Sequence, residues 1–306
     1  DFTYRAFSYE RPELSVVAEQ QNDFTLLLEG DSKYSKYAWD ILSNTFCYAA
    51  SLIPDVNTSL VAIDDAMKLG YNWAQGPFEM IDKVGVDNFI SRLKKEGREI
   101  PWIIQEAAGK SFYRVNEGHL EYFTAEGAFK RVQRDQGLRR FAEERKMHQP
   151  ILTNKAASYY EINNAIGMVE FHSKANALDT NSMELLGQAV AHAEKNFTGL
   201  IIHNDASHFS CGVNLEAIGR FIESQDWNGL DEFLKHFQQT VKTMKYSNIP
   251  VISAPSGLSI GGGFEVILGT DMTVYHANSV TGLVESLVGV VPGGGGVKEL
   301  LYRWRD

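Results

Sequence analysis

Between residues 36 and 109, apolar residues recur at spacings of three and four, which predicts a series of short amphipathic helices. One face of the first helix consists of Trp39, Leu42, Phe46, Ala49 and Ile53. Pro54 ends this helix because proline cannot continue the hydrogen-bonded backbone. Later helices are predicted to end at glycine, which closes helices in the left-handed conformation. These glycines are Gly70, Gly85 and Gly97. A strand is predicted at residues 112–114.

After Pro150 the pattern changes to short apolar strands that alternate with helices. Residues 158–162 and 168–171 flank a turn-forming segment and predict a β-hairpin. The later predicted strands are 199–203, 251–254 and 272–276, and the predicted helices start near Thr180, Asn214, Leu230 and Gly263. This alternation predicts an α/β fold, with a sheet crossed by helices or a layered spiral.

A length of 306 residues favours two domains, since a domain commonly takes about 150 residues. We predict a lead-in segment (1–35), a helical domain (36–115), a charged linker (116–150) and an α/β domain (151–306). The linker is predicted because charged side chains are dense there. The chain starts without an initiator Met or a signal-peptide pattern, so we expect it to be an internal piece of a longer polypeptide.

Charge and cysteine content narrow the function classes. Acidic residues outnumber basic ones by 39 to 29, and the formal net charge is −10. Such a field repels phosphate backbones and anionic lipids, so we expect no nucleic-acid partner. No apolar run reaches the ~18 residues of a membrane span, so none is expected. Cys47 and Cys211 lack the spacing of a disulfide framework, which indicates reduced thiols and a cytoplasmic location.

Glycines concentrate at two junctions that precede predicted helices, Cys211-Gly212 and Gly261-Gly262-Gly263. Glycine allows backbone N–H groups to approach a ligand closely, and a helix N-terminus favours negative charge. Two such termini directed at one point would form an oxyanion hole. Two ordinary tight turns are the alternative interpretation, and glycine alone does not decide between them.

Two acids lie within apolar runs, Glu265 and Glu285. A buried carboxylate is costly unless it is paired, hydrogen-bonded or protonated, and burial raises its pKa towards the range useful for acid and base catalysis. The alternative is that each side chain points to solvent. Their position close to the glycine junctions favours the catalytic interpretation.

Other chemical patterns are weaker. Ser259 stands in a G-x-S-x-G pattern after a strand, but the later acid and histidine of a hydrolase triad have no room before His276. Cys211 and His208 could form a thiol nucleophile, but their spacing across a loop favours a structural thiol. We expect no metal site, because the histidines and cysteines lack ligand spacing. The run at 293–296 lacks the Lys-Ser/Thr of a phosphate loop, and no G-x-G-x-x-G follows a strand.

Residues from about 158 to 306 resemble the crotonase, or enoyl-CoA hydratase, superfamily. The motifs that carry this resemblance are Asn176-Ala177-Leu178, Phe209-Ser-Cys-Gly-Val-Asn-Leu215, Gly261-Gly-Gly-Phe-Glu265 and Gly282-Leu-Val-Glu285, with Gly289-Val-Val-Pro-Gly293 after them. The implied fold is a ββα spiral, here expected to lack the C-terminal helices of the family. Cys211-Gly-Val-Asn214 replaces the usual Ala-Gly-Ala-Asp, a change that leaves the backbone donor in place.

Residues from about 36 to 113 resemble the helical C-terminal domain of 3-hydroxyacyl-CoA dehydrogenases. The resemblance rests on 70–79 and 82–85. The implied fold class is therefore α plus α/β, in the domain order of bacterial multifunctional fatty-acid oxidation proteins. No catalytic residue is carried over to the helical region, which is expected to pack and to make subunit contacts in a homo-oligomer. NAD would belong to an upstream domain.

The crotonase resemblance implies roles for individual residues. The N–H groups of Val213 and Gly262 would hold the thioester oxygen of an acyl-CoA substrate. Glu265 would help to remove a proton from water, and Glu285 would supply a proton to the α-carbon, which gives syn hydration of a 2-enoyl-CoA. Asn176, Ala177 and Leu178 would line the path of coenzyme A, which enters as part of the substrate rather than as a bound cofactor. Isomerisation, thioester hydrolysis and a silent scaffold are the alternative functions.

Overall fold

The computed structural model describes residues 10–21, 23–137, 139–163 and 165–305. The chain divides into two compact units, Asp1–Gln136 and Gly137–Asp306. No helix in the described part of the chain is both long and apolar enough to cross a membrane.

The helices of the first unit largely follow the predicted pattern. They are α1 (Glu13–Gln20), a 3-10 helix (Phe24–Leu28), α2 (Lys33–Ser51), α3 (Leu60–Tyr71), α4 (Pro77–Val84), α5 (Val86–Lys95) and α6 (Trp102–Glu106). Gly85 closes α4 with a φ of 89°, as expected. The predicted end of α3 at Gly70 is wrong, because Asn72 adopts the left-handed conformation instead. Asn tolerates this conformation better than other non-glycine residues.

An aromatic core holds the first unit together. Trp39 of α2 meets Phe89 of α5 edge to face, with ring centroids 5.3 Å apart. Leu28, from the segment predicted as a lead-in, is buried in the same core. The guanidinium of Arg92 donates a hydrogen bond to the carbonyl of Leu28 at 2.8 Å. The part of the lead-in that carries Phe24 and Leu28 therefore packs on the helical unit, while residues 1–9 lie outside the described residues.

The predicted linker at 116–150 is wrong for its first part. Strands β1 (Tyr113–Asn116), β2 (His119–Phe123) and β3 (Phe129–Arg131) form an antiparallel sheet within the first unit. Phe123 is fully buried in the aromatic core. Two of the charged residues that suggested a linker, Lys130 and Arg131, lie on exposed positions of β3. Arg114 of β1 and Glu121 of β2 form an ion pair across the strands. Helix α7 (Phe141–Met147) follows in the second unit.

The second unit has the predicted α/β order. Its further elements are β4 (Leu152–Thr153), β5 (Ala157–Ile162), β6 (Ile166–Phe171), α8 (Thr180–Asn196), β7 (Gly199–Ile202), α9 (Leu215–Glu223), α10 (Trp227–Lys245), β8 (Val251–Ser253), β9 (Leu258–Ile260), α11 (Gly262–Leu268), β10 (Met272–Thr273), β11 (Val280–Gly282), a 3-10 helix (Glu285–Val288) and α12 (Gly296–Arg303). The larger sheet has the order β10-β8-β7-β6-β5-β4. The antiparallel β5–β6 hairpin confirms the prediction, and the pairs from β6 to β10 are parallel.

A second, two-stranded sheet brings distant segments together. Strands β9 and β11 pair in parallel, so their carboxyl ends lie at the same edge. One residue, Gly261, separates β9 from α11, and its φ of 54° permits the sharp turn. Glu285 follows β11 at the same edge. The fold thus places the start of α11 next to the residues that follow β11.

Candidate active site

Two isolated backbone bridges position the loop between β7 and α9. Ser210 pairs with Ser259 of β9, and Val213 pairs with Leu178. The N–H of Leu178 donates to the carbonyl of Gly212 at 2.8 Å, and the N–H of Asn214 donates to the carbonyl of Leu178 at 2.8 Å. The loop is therefore fixed on both sides, and it runs alongside the turn from β9 to α11.

The two predicted amide donors lie close together. A Cβ placed on Gly262 would be 3.4 Å from the nitrogen of Val213 and 2.8 Å from the Cγ2 of that residue. A Cβ placed on Gly212 would be 3.5 Å from the nitrogen of Gly262. Within the residues that the structure describes, neither amide, of Val213 or of Gly262, donates a hydrogen bond to a protein acceptor. Gly262 opens α11, where the first N–H groups have no partner inside the helix.

Glu265 lies in the first turn of α11 and is only 2% exposed. Its carboxylate accepts hydrogen bonds from the N–H of Gly294, at 2.8 and 2.9 Å to the two oxygens, and from the N–H of Gly296 at 2.9 Å. Burial raises the pKa of Glu265 above its ordinary value, the amides of Gly296 and Gly294 oppose this rise, and the charge of Glu285 adds to it. The combination favours proton exchange nearer to neutral pH.

The carboxyl group of Glu285 lies against the turn at Gly261. Its Oε1 is 3.5 Å from the position of a Cβ built on that glycine. Both carboxyl oxygens are buried, and no described residue forms a hydrogen bond with either of them. An unpaired buried carboxylate is destabilising, so this arrangement favours a polar ligand, such as water or substrate, between Glu285 and its neighbours.

The three residues predicted to line a coenzyme A path have different environments. The buried side chain of Asn176 donates to the carbonyl of His208 at 2.8 Å. The side chain of Leu178 is fully buried, whereas Ala177 is partly exposed. The side chains of Asn176 and Leu178 therefore pack inside the protein, and contact of this segment with coenzyme A stays a prediction.

Sequence reasoning missed Gly294 and Gly296 as partners of Glu265. The available signal was the glycine run before α12, which was tested only as a phosphate loop. Glycine is required here by close approach, because a Cβ on Gly294 would lie 2.5 Å from Oε2 of Glu265.

Asn214 caps α9 by accepting from the N–H groups of Glu216 and Ala217, at 3.0 and 3.3 Å.

The alternative nucleophiles do not have the required environment. Ser259 lies inside β9 rather than on a strand-to-helix turn, and its side chain is fully buried. Burial raises the pKa of the Cys211 thiol, which disfavours the reactive thiolate. Among the described residues, no cluster of three His, Cys, Asp or Glu could hold a metal ion.

Comparison with known proteins identifies relatives across most of the chain. The chain is 32% identical over 277 residues to a "Probable 3-hydroxyacyl-CoA dehydrogenase" of Bacillus subtilis (strain 168). The aligned residues cover 90% of this chain and 35% of that protein. The chain is 31% identical over 283 residues to a "Putative fatty acid oxidation complex trifunctional enzyme" of Rickettsia felis, covering 92% and 36%. The chain therefore spans about a third of the length of these relatives.

A solved enoyl-CoA hydratase from Polaromonas sp. JS666 is 22% identical and covers 48% of this chain and 58% of that chain, with a TM-score of 0.46. This similarity is too low to support an argument about the site. The sequence model of the family described as "Enoyl-CoA hydratase/isomerase" matches residues 161–303. Together with the relatives, this match shows that residues 161–303 of the chain form a crotonase domain and belong to the enoyl-CoA hydratase/isomerase family.

Proposed function

We propose that the crotonase domain is an enoyl-CoA hydratase that adds water syn across the double bond of a 2-enoyl-CoA. The observation that carries this proposal is the convergence of two backbone amides and two acids. The amides of Val213 and Gly262 lie side by side, and the unpaired carboxyl group of Glu285 lies against the same glycine turn. Glu265 lies in the first turn of the helix that Gly262 opens.

The amides would bind the thioester oxygen of the substrate. When water adds to the β-carbon, negative charge moves to this oxygen and an enolate forms. Two N–H donors that have no acceptor among the described residues would stabilise that charge, and removal of one such donor typically costs about 10²–10³ in rate. No side chain is needed for this step, so Val213 in place of the usual alanine is compatible with it.

The two acids would hold the water and move its proton. Glu265 accepts a proton from the water as its oxygen bonds to the β-carbon. Glu285 gives a proton to the α-carbon, and the pair is restored when a proton passes from Glu265 to Glu285. The raised pKa of Glu265 supports this exchange at a pH closer to neutral. Coenzyme A enters only as part of the substrate in this scheme.

Isomerisation and thioester hydrolysis are alternative reactions of the same oxyanion hole. Hydration is favoured because two acids close to one turn can bind a water between them, whereas moving a proton along the acyl chain needs one such group. Incubation of the intact protein with a 2-enoyl-CoA tests the proposal. We expect the enoyl absorbance to fall and a 3-hydroxyacyl-CoA to form. A shifted double bond or free coenzyme A would instead identify an alternative reaction, and no turnover would favour a scaffold.

The relatives' names support a wider proposal for the intact protein. Similarity to a "Probable 3-hydroxyacyl-CoA dehydrogenase" extends through the helical unit, which agrees with the dehydrogenase resemblance of residues 36–113. We propose that this unit is a packing and subunit-contact module of a cytoplasmic homo-oligomer and supplies no reacting group. In this proposal NAD binds to an upstream domain of the intact protein rather than to these residues. Formation of NADH from a 3-hydroxyacyl-CoA by the intact protein tests the dehydrogenase part.

A further inference from the structure

Helix α12 is fastened to its neighbours around the carboxylate of Glu265. The amide of Gly296, the first residue of the helix, and the amide of Gly294, two residues earlier, donate to that carboxylate. The side chain of Gln238 in α10 donates to the carbonyl of Gly293, which lies just before α12, at 2.6 Å. The loop that carries the amides is thus held from α10 on one side and by Glu265 of α11 on the other.

A buried ion pair anchors the middle of α12. Glu299 is 3% exposed and pairs with Lys245 at the end of α10. Lys298 approaches the other oxygen of Glu299 at 3.0 Å, but its own side chain is 63% exposed. Burial alone would raise the pKa of Glu299, yet the ammonium groups of Lys245 and Lys298 outweigh burial and hold it below the ordinary value. The carboxylate of Glu299 therefore remains ionised to a lower pH than that of an ordinary glutamate.

The last turn of α12 is anchored to α11. The guanidinium of Arg303 donates to the carbonyl of Leu268 at 3.1 Å and to that of Thr270 at 3.4 Å. These carbonyls lie at the C-terminal end of α11, where a cation is favourable. Helices α11 and α12 are thus joined at both ends. Glu265 of α11 binds the start of α12, and Arg303 of α12 binds the end of α11.

We propose that Lys245, Glu299 and Arg303 are positioning residues, which hold α12 so that the Gly294 and Gly296 amides stay on the carboxylate of Glu265. None of the three needs to touch a substrate. The catalytic consequence of this inference rests on the proposed hydratase function, whereas the structural consequence does not.

The electrostatic effect follows from the contacts of Glu265. Burial and the charge of Glu285 favour its protonated form, and the amides of α12 favour its ionised form. The charged groups of α12 are engaged elsewhere: Lys298 and Glu299 pair within a cluster that includes Lys245 of α10, and Arg303 donates to the carbonyls at the end of α11. When the anchoring is lost, the amides withdraw, and the pKa of Glu265 rises because its ionised form loses these hydrogen bonds.

Substitution Lys245→Met tests the inference, with Lys235→Met as the matched control. Lys235 lies on the same helix and forms an exposed ion pair with Asp231, four residues away. In the intact protein with ¹³C-labelled glutamate, the carboxyl signal of Glu265 is identified by its loss in Glu265→Gln and then titrated. We expect the midpoint to rise by about one pH unit in Lys245→Met and to stay unchanged in Lys235→Met. Lys245→Arg, which keeps the ion pair, should restore the wild-type midpoint.

An unchanged midpoint in Lys245→Met would overturn the inference. If that variant fails to fold, Arg303→Met replaces it in the same titration with the same expected rise and the same contrary result. The pH dependence of kcat/KM for hydration is a second measurement. The fall in kcat/KM at acid pH should move to higher pH together with the titration midpoint. A wild-type protein that does not hydrate the substrate defeats the proposed function, while the titration still decides whether α12 controls Glu265.

Discussion

Both units of the protein bury an acid, but they treat it in opposite ways. In the helical unit, Asp64 is fully buried and its carboxylate accepts hydrogen bonds from the N–H of Phe78 at 2.9 Å, the N–H of Glu79 at 3.2 Å and the hydroxyl of Tyr113 at 2.8 Å. In the crotonase domain, the carboxyl oxygens of Glu285 are buried, and the described residues offer them no hydrogen bond.

The difference distinguishes Asp64, whose hydrogen-bond partners belong to the protein, from Glu285, which we propose binds a ligand. Asp64 closes the N-terminus of α4 and ties it to α3 and β1, so its partners all belong to the protein. Leaving a buried polar group unpaired costs about 1–3 kcal/mol, and more when it is charged. We propose that a substrate or water completes the hydrogen bonds of Glu285, which lies against the turn at Gly261. Among the described residues, the neighbouring amides of Val213 and Gly262 have no acceptor either.

The largest expected effect comes from exchanging each acid for its amide. Glu285→Gln should lower kcat/KM for hydration of a 2-enoyl-CoA by about 10²–10⁴, because the proton donor to the α-carbon is lost. Asp64→Asn should leave kcat/KM nearly unchanged, since Asp64 belongs to the first unit and serves a helix end. Steady-state rates of both variants give the comparison. Equal rates in the two variants would contradict the distinction between the acids.

Removal of one amide should have the next largest effect. Gly262→Pro deletes the N–H while proline is tolerated at the first position of a helix, and we expect kcat to fall by about 10²–10³. Gly262→Ala keeps the N–H and is the control, although its Cβ must shift Cγ2 of Val213 from a distance of 2.8 Å. A rate for the proline variant equal to that of the alanine variant would exclude this amide as a donor.

Substitution of Asp64 should change the free energy of unfolding rather than the rate of turnover. Burial raises the pKa of Asp64 from 3.8 to about 7. Because the folded state binds a proton that the unfolded state releases, the contribution of Asp64 is fully present below pH 3.8 and is lost as pH rises through about 7. Urea unfolding at several pH values measures the difference between the free energies of unfolding of wild type and Asp64→Asn. We expect this difference to fall between pH 3.8 and about pH 7, by at most roughly 4 kcal/mol, and to be constant above that range. A pH-independent difference would be the contrary result.

The smallest effect concerns the cap of α9. Asn214→Ala removes the acceptor for the N–H groups of Glu216 and Ala217 and should lower the free energy of unfolding by about 1 kcal/mol. Asn214→Asp should retain the cap and match wild type, since Asn and Asp are about equally good N-caps. Chemical denaturation measures both, and an alanine variant as stable as wild type would show that this cap does not contribute to stability.

The sequence predicted those features that depend on local pattern. The helices from α2 to α5 follow spacings of three and four, and the β5–β6 hairpin follows from two apolar runs around a turn. A strand was predicted near the start of β1, at residues 112–114, but β2 and β3 were missed because the exposed charges of β3 resemble those of a linker.

In the site, glycine placement and acids in apolar runs identified Gly262, Glu265 and Glu285. The contacts that organise them are not local. Pairing of β9 with β11 joins segments that are far apart in the chain, and the amides that hold Glu265 come from about thirty residues later. Nothing in the spacing of residues indicates which backbone donor meets which carboxylate, so Gly294 and Gly296 were found only in the fold.

A crystal structure of the intact protein with bound 3-hydroxyacyl-CoA tests the central claim most directly. We predict that the thioester oxygen accepts hydrogen bonds from the amides of Val213 and Gly262, each at about 2.7–3.2 Å, and that the 3-hydroxyl group lies between the carboxyl groups of Glu265 and Glu285. A thioester oxygen directed away from both amides, or a hydroxyl group that contacts neither acid, would contradict the account.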